Sequence, residues 1–202
     1  MDELLPGVFH WTAYHEGIRQ DVHSYFLAGP RALIDPLAPA EGLGWFEGER
    51  RPERILLTNR HHYRHSDRFV EAFGCPVLCH EAGLHEFADG PEVEGFAFGD
   101  EVAPGVVARE VAAICPEESA LHVLESDAMA FADGVIRDPE GELAFVPDFL
   151  LGDDPEDVKE GLRAAFRRLC EEHEFDSLLL AHGEPLVHGG RRALADFAGA
   201  GP

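Results

Sequence analysis

The stretch Ile55-Leu56-Leu57-Thr58-Asn59-Arg60-His61-His62-Tyr63-Arg64-His65-Ser66-Asp67 decides how the chain is read. An apolar run breaks at a Thr-Asn pair into a segment with three histidines and two arginines, and helical spacing resumes at Phe69, Val70 and Phe73. That order predicts a strand, a polar loop and a helix that Ser66 is placed to cap, its hydroxyl accepting from free amides of the first turn. In α/β proteins ligands collect where strand ends meet such loops. Imidazole is the commonest metal ligand and titrates near neutral pH, so histidines clustered there point to metal or proton chemistry. A solvated loop whose histidines do nothing is the alternative from this stretch alone.

Upstream, residues 7–11, 24–27 and 32–34 read as short strands, with Gly29-Pro30 as a hairpin turn, so the chain opens antiparallel. Downstream, residues 75–79 supply the strand that completes a β-α-β unit, and residues 96–98, 106–111, 120–124 and 129–131 read as strands of a second sheet. Asp154 followed by Pro155, Glu156 and Asp157 marks a helix start, and Val158, Leu162, Phe166 and Leu169 give it an apolar stripe. Residues 177–181 form a buried strand that ends abruptly in His182-Gly183-Glu184-Pro185, and a short helix around residues 191–197 closes the chain. Polar groups therefore stand just past three apolar strands, at Asn59 to His65, at Asp133 and at His182.

With 202 residues, 45% of them hydrophobic, one domain spanning 1–202 is expected. No apolar run approaches a membrane span, and Met1-Asp2-Glu3 opens acidic, so neither a transmembrane segment nor a secretory signal is expected and the protein is read as soluble and cytoplasmic. The formal charge of −23, from 39 acidic against 16 basic residues, repels phosphate backbones and disfavours nucleic acid as a partner. Four cysteines, Cys75, Cys79, Cys115 and Cys170, form no C-x-x-C pair and are expected as reduced thiols. Cys75, Cys79 and His80 are poorly spaced for a structural zinc site. A small-molecule substrate is expected, with the protein a monomer or a homodimer whose contact could use Trp45-Phe46 or Phe149-Leu150.

In the order and spacing of these strand ends the sequence resembles the metallo-β-lactamase-fold hydrolases. The likeness runs through Ile34-Asp35-Pro36, Leu57-Thr58 with its histidine loop, Ala132-Asp133-Gly134 and Ala181-His182-Gly183-Glu184-Pro185. It implies an α/β (α+β) fold, an αββα four-layer sandwich of two mixed β-sheets flanked by helices, with a metal centre at one sheet edge. That family's signature is T-H-x-H-x-D-H, a histidine in a G-H-T turn, a bridging aspartate and a last histidine. Here Asn59 stands at the first histidine, His61 keeps the second, Tyr63 replaces the aspartate and Arg64 the next histidine. Glu118 stands at the G-H-T histidine, Glu117 being an equal candidate. Asp133 matches the bridging aspartate and His182 the last histidine.

The resemblance thus implies His61, Glu118, Asp133 and His182 as ligands of one divalent ion, zinc, iron or manganese, with an open position for water. Such an ion brings hydrolysis of an ester, thioester, amide or phosphoester within reach. Arg64 then steadies an oxyanion or pairs with Asp133, and Tyr63 and Asp133 complete the catalytic candidates. His65, through a one-residue bulge, and Asn59 are lesser candidates for the metal. His61 and His65 also lie four apart, but a strand leads in and His62 occupies the place where an H-E-x-x-H helix carries its glutamate. Asp133 before Gly134, His182 at its strand end and Glu118 in its turn each have a purely local role as the alternative. His23 and His80 flank strand ends and could line the pocket; the other histidines, His10 among them, have no motif support. A metal-free member of the fold that binds a ligand or partner, with no cofactor, is the alternative function, and it rests on Asn59, Tyr63 and Arg64.

Overall fold

A computed structural model describes residues 1–199 of the chain. Its first sheet joins β1 (Asp2–Leu5), β2 (Val8–His15), β3 (Gln20–Leu27), β4 (Ala32–Ile34), β5 (Arg54–Leu56), β6 (Val77–His80) and β7 (Glu94–Phe96) in that order. Neighbours are antiparallel from β1 to β4 and parallel from β4 to β7. A second sheet holds β8 (Glu101–Ala103), β9 (Val106–Glu110), β10 (Ser119–Val123) and β11 (Ala128–Phe131), closed at its far edge by a late strand, Ser177–Leu180. Between these come the small hairpin β12 (Ile136–Arg137) and β13 (Leu143–Ala144), so the late strand is β14, and it runs parallel to β11.

Alternation along the strands builds the layers, because successive side chains leave a strand on opposite faces. Tyr25 and Leu27, Ala32 and Ile34, and Leu56 face the second sheet and meet Val106, Leu121, Ala130 and Leu179 between the two sheets. Phe26, Leu33 and Ile55 face outward, where α1 (Ser66–Phe73) and the short turn Gly44–Phe46 cover them with Phe69 and Phe46. On the second sheet Ala120, Met129, Phe131, Leu178 and Leu180 face outward onto α2 (Pro155–Glu172) and α3 (Gly190–Phe197). Strands apolar on both faces must be covered on both. The result is the expected αββα four-layer sandwich of two mixed sheets. The start of α2 follows its sequence: Asp154 accepts from Asp157 N at 3.2 Å, Pro155 opens the helix, and Leu162, Ala165, Phe166 and Leu169 are buried.

Some local expectations change. The strand expected at 96–98 in the second sheet is Glu94–Phe96 in the first, where it pairs with β6 through Leu78↔Glu94 after a crossover of 3₁₀ turns. Ser66 does not cap α1; His65 holds the cap position without a side-chain bond, and the Ser66 hydroxyl is buried without a partner. Phe46, expected as an exposed contact residue, has no exposed surface, and Trp45 packs edge-on against it at 5.1 Å; Phe149 and Leu150 are exposed. All four cysteines are buried free thiols. No helix among the described residues is long and apolar enough to cross a membrane.

Both sheets are stitched together at one end. The Tyr25 hydroxyl donates to Leu180 O at 2.7 Å, His23 N to Ala181 O at 3.0 Å, and Ser119 N to Thr58 O at 2.8 Å. On the opposite side of the first sheet Phe46 anchors the cover, its ring meeting those of Trp11, Phe26, Trp45 and Phe69 within 6 Å. Phe46→Ala is expected to cost about 3–5 kcal/mol in urea denaturation, the usual loss for emptying a large core site; a cost below about 1 kcal/mol would mean that the turn is not part of the core.

Candidate metal centre

Strand register brings the site together. In the parallel pair β11–β14, Phe131 lies opposite Leu180, so Asp133 and His182 each stand two residues past matched positions and emerge side by side. In the parallel pair β4–β5, Ile34 lies opposite Leu56, so Asp35 and the Thr58 turn emerge together on the facing sheet. Asp35 is buried: Oδ1 accepts from Thr58 N at 2.9 Å, and Oδ2 accepts from Thr58 Oγ1 at 2.5 Å and lies 2.8 Å from His62 Nδ1.

The loop after β5 is a 3₁₀ turn, Arg60–Tyr63, capped by Asn59, whose Oδ1 accepts from His61 N at 2.9 Å. Asn59, the extended cap residue, and His62, at a kink within the turn, both face inward, and His61 is exposed. Inside the pocket, His62 Nε2 lies 3.4 Å and His182 Nε2 3.1 Å from Asp133 Oδ1, and one donor atom from each of the three lies within 4.8 Å of the others. Each is also held at its far atom: His62 by Asp35, Asp133 by Asn59 Nδ2 at 2.7 Å, and His182 by Gln20, whose Nε2 is 3.0 Å from Nδ1.

Charge follows this wiring. Burial alone lowers the His62 pKa, but the carboxylates of Asp133 and Asp35 outweigh it and raise His62 to about 9. Burial works to raise Asp133 and is overcome by His62 and His182, which hold its carboxyl well below the usual range. His182 is pushed down by burial and by the nearby charges of His62 and Arg64, against the pull of Asp133. Arg64 has φ 47° and ψ −116°, a conformation that strains a residue with a Cβ. Its Nη1 donates to the carbonyls of His23 at 2.8 Å and Asp35 at 2.7 Å, while Nη2 is sealed without a partner.

Several residues picked out by the resemblance lie elsewhere. His61 is exposed, and His62 takes the place expected of it. Glu118 is buried but spends Oε1 on Gly134 N at 2.6 Å, and it is not one of the converging donors. Glu117 pairs with Arg60. The Tyr63 ring packs on Phe87 at 5.7 Å, in the outer apolar layer. Arg64 bonds backbone carbonyls instead of pairing with Asp133. No bulge brings His65 inward; its Nδ1 accepts from Ala38 N at 3.2 Å. His80 stacks on Phe98 at 3.9 Å. Asn59 does reach the site, as a holder of Asp133. Sequence reading missed His62, Gln20 and the orienting role of Asp35; Asn59 as a helix-cap residue was the available signal for His62.

No protein-family model matches the chain, and no curated protein matches it in sequence. Solved structures do match in shape. A metallo-β-lactamase family protein from Thermus thermophilus superposes with a TM-score of 0.67 at 17% identity, over 98% of this chain and 80% of that one. The metallo-β-lactamase FIM-1 from Pseudomonas aeruginosa, in its mono-zinc form, gives 0.68 at 11% identity, over 96% and 90%. A protein solved in a di-iron-bound form gives 0.68 at 20% identity, over 91% and 96%.

This is the metallo-β-lactamase fold.

On a metallo-β-lactamase scaffold the donor set decides what can be held. Two imidazoles and a carboxylate that already converge, each oriented from behind, fit one divalent ion. A half-turn of the Gln20 amide presents Oε1 to His182 Nδ1–H and leaves Nε2 with its lone pair inward. Arg64 places a positive charge beside the cluster, and neither Tyr63 nor His61 is among the converging donors.

Glu118 gives a test of this buried environment. Burial and the neighbouring Asp133 carboxylate raise its pKa from 4.5 to about 8. A raised pKa means that the folded state holds the proton more tightly, so this contribution to stability is complete below the unfolded value and is lost as pH rises toward 8. Glu118→Gln is therefore expected to gain in urea midpoint relative to the parent as pH climbs from about 5 to about 9. A difference that does not change with pH would place Glu118 in a more polar setting.

Proposed function

We propose that the chain is a metal-dependent hydrolase with a mononuclear centre, acting on a small ester, thioester, amide or phosphoester. One observation carries this reading: the inward atoms of His62, Asp133 and His182 converge while Asp35, Asn59 and Gln20 hold each of them from behind. A structural turn has no use for such matched orientation of three donors. When bound, one divalent ion such as zinc, iron or manganese supplies Lewis-acid activation of water and of the substrate's carbonyl or phosphoryl oxygen.

The chain's own residues do the rest. Asp35 keeps the His62 proton on Nδ1 and so leaves Nε2 as the donor toward the ion. Asn59 occupies Asp133 Oδ2 and turns Oδ1 toward the imidazoles. Arg64 Nη2 is buried without a partner and Nη1 is held by two carbonyls, so its charge acts through the low-dielectric pocket rather than by contact, favouring negative charge that develops on the reacting group. The formal charge of −23 selects against large polyanions and leaves small substrates.

A metal-free protein that uses the same pocket to bind a ligand or partner is the second reading. It is favoured by charge: Asp35 and Asp133 are already balanced by Arg64 and by His62, which is protonated at neutral pH.

Metal analysis separates the two. Protein purified without chelator, then titrated with zinc, iron(II) or manganese, is expected to reach one equivalent; His182→Ala should drop below about a tenth of an equivalent and His61→Ala should keep the full complement. No uptake by the parent chain would end the hydrolase reading. Loss in His61→Ala with retention in His182→Ala would show that the ligands are misassigned.

A further inference from the structure

A pair of buried imidazoles beside the centre has no part in the ligand set. His23 is on β3 and His10 on β2, both on the strand face that Val8, Tyr25 and Leu27 present toward the second sheet. His23 is 4% exposed and His10 7% exposed. Their rings stack with centroids 5.0 Å apart, and His10 Nε2 lies 2.7 Å from His23 Nδ1. A distance this short requires one of the two nitrogens to carry a proton and the other to accept it.

Three contacts fix His23 against the centre. Its amide donates to Ala181 O, next to His182; its carbonyl accepts from Arg64 Nη1; and Gln20, three residues earlier on β3, reaches His182. The outer nitrogens of the pair are left over. Neither His23 Nε2 nor His10 Nδ1 has a partner among the described residues, and neither is among the sealed atoms, as His15 Nδ1 and His122 Nδ1 are. His23 feels the charges of His182 and Arg64, and His10 those of Glu184 and Asp2. The backbone of His23, bonded to Ala181 and Arg64, thus sets this end of the pair beside the centre, with His10 one strand farther out on β2.

We infer that His23 and His10 form a two-imidazole proton relay, with His23 Nε2 as the acid-base group for the substrate and His10 Nδ1 as the exit toward Glu184 and solvent. The inference rests on the hydrolase reading. In the resting form His23 Nδ1–H donates to His10 Nε2, and His10 keeps a second proton on Nδ1. As water attacks, its proton goes to His23 Nε2, the Nδ1 proton crosses to His10 Nε2, and the His10 Nδ1 proton leaves to solvent. One proton enters and one departs, both rings stay neutral, and the reverse sequence returns a proton to the leaving group. Burial supports this working state, since it lowers both pKa values to about 4 and so keeps each ring neutral at pH 7.

The test uses the full chain loaded with zinc and p-nitrophenyl acetate as the probe. His23→Gln is expected to lower kcat by about 100-fold with KM and zinc content unchanged, and added imidazole should restore part of the rate. His10→Gln keeps a hydrogen-bond partner for His23 but cannot pass the proton on, and should lose about tenfold. Independently of turnover, 15N-histidine NMR at pH 7 should show both rings neutral and coupled through a shared N–H···N bond. A cationic ring, or no coupling, overturns the relay. So does an active parent whose His23→Gln variant keeps its rate, or loses it together with zinc and without imidazole rescue. A parent chain that binds zinc yet is inert overturns the hydrolase reading and the relay's role together, whereas an intact rate in His23→Gln sinks the relay alone.

Discussion

The buried carboxylate of Asp35 is the contact on which the pocket depends. It stands where β4 ends, takes the amide and hydroxyl of Thr58 where β5 has just ended, and fixes the outer nitrogen of His62. One side chain thus ties two parallel strand tips and aims an imidazole into the gap between the sheets. Its own backbone has φ 46°, and its carbonyl is one of the two that bind Arg64. Strain at two touching positions persists where surrounding contacts over-determine it, and here those contacts are the hydrogen bonds of the site itself.

Much of the fold was legible because its strands alternate and its second helix carries its own start signal. Asp154-Pro155-Glu156 and the stripe ending at Leu169 read directly as a capped amphipathic helix, and the matched ends of β11 and β14 are visible as Asp133 and His182 after apolar runs. The placement of β7 was not legible. Three residues at a sheet edge carry no mark of which sheet they join, and the crossover through 3₁₀ turns leaves no strong periodicity.

The site was half legible for a related reason. Counting along the histidine loop as though it were extended selects His61, whereas the loop is a kinked turn after the Asn59 cap, and its kink residue, His62, is the one that faces inward. Asn59, read as a lesser candidate for the metal at the place of the first histidine, instead caps the turn through His61 N and holds Asp133. Glu118 shows the opposite error. A carboxylate at the expected turn position is present, but its oxygen serves the Gly134 amide. Motif position told where functional groups emerge; hydrogen-bond partners decided which of them face the pocket.

What distinguishes this pocket is a permanent cation next to a three-donor cluster. On the proposed reading this arrangement holds a single divalent ion, with His62, Asp133 and His182, the converging donors among the described residues, as its ligands. Anomalous diffraction at the zinc edge from zinc-soaked crystals tests this most directly. One peak within bonding distance of His62 Nε2, Asp133 Oδ1 and His182 Nε2 is the expected result; two peaks, or one peak at His61 or Glu118, would contradict it.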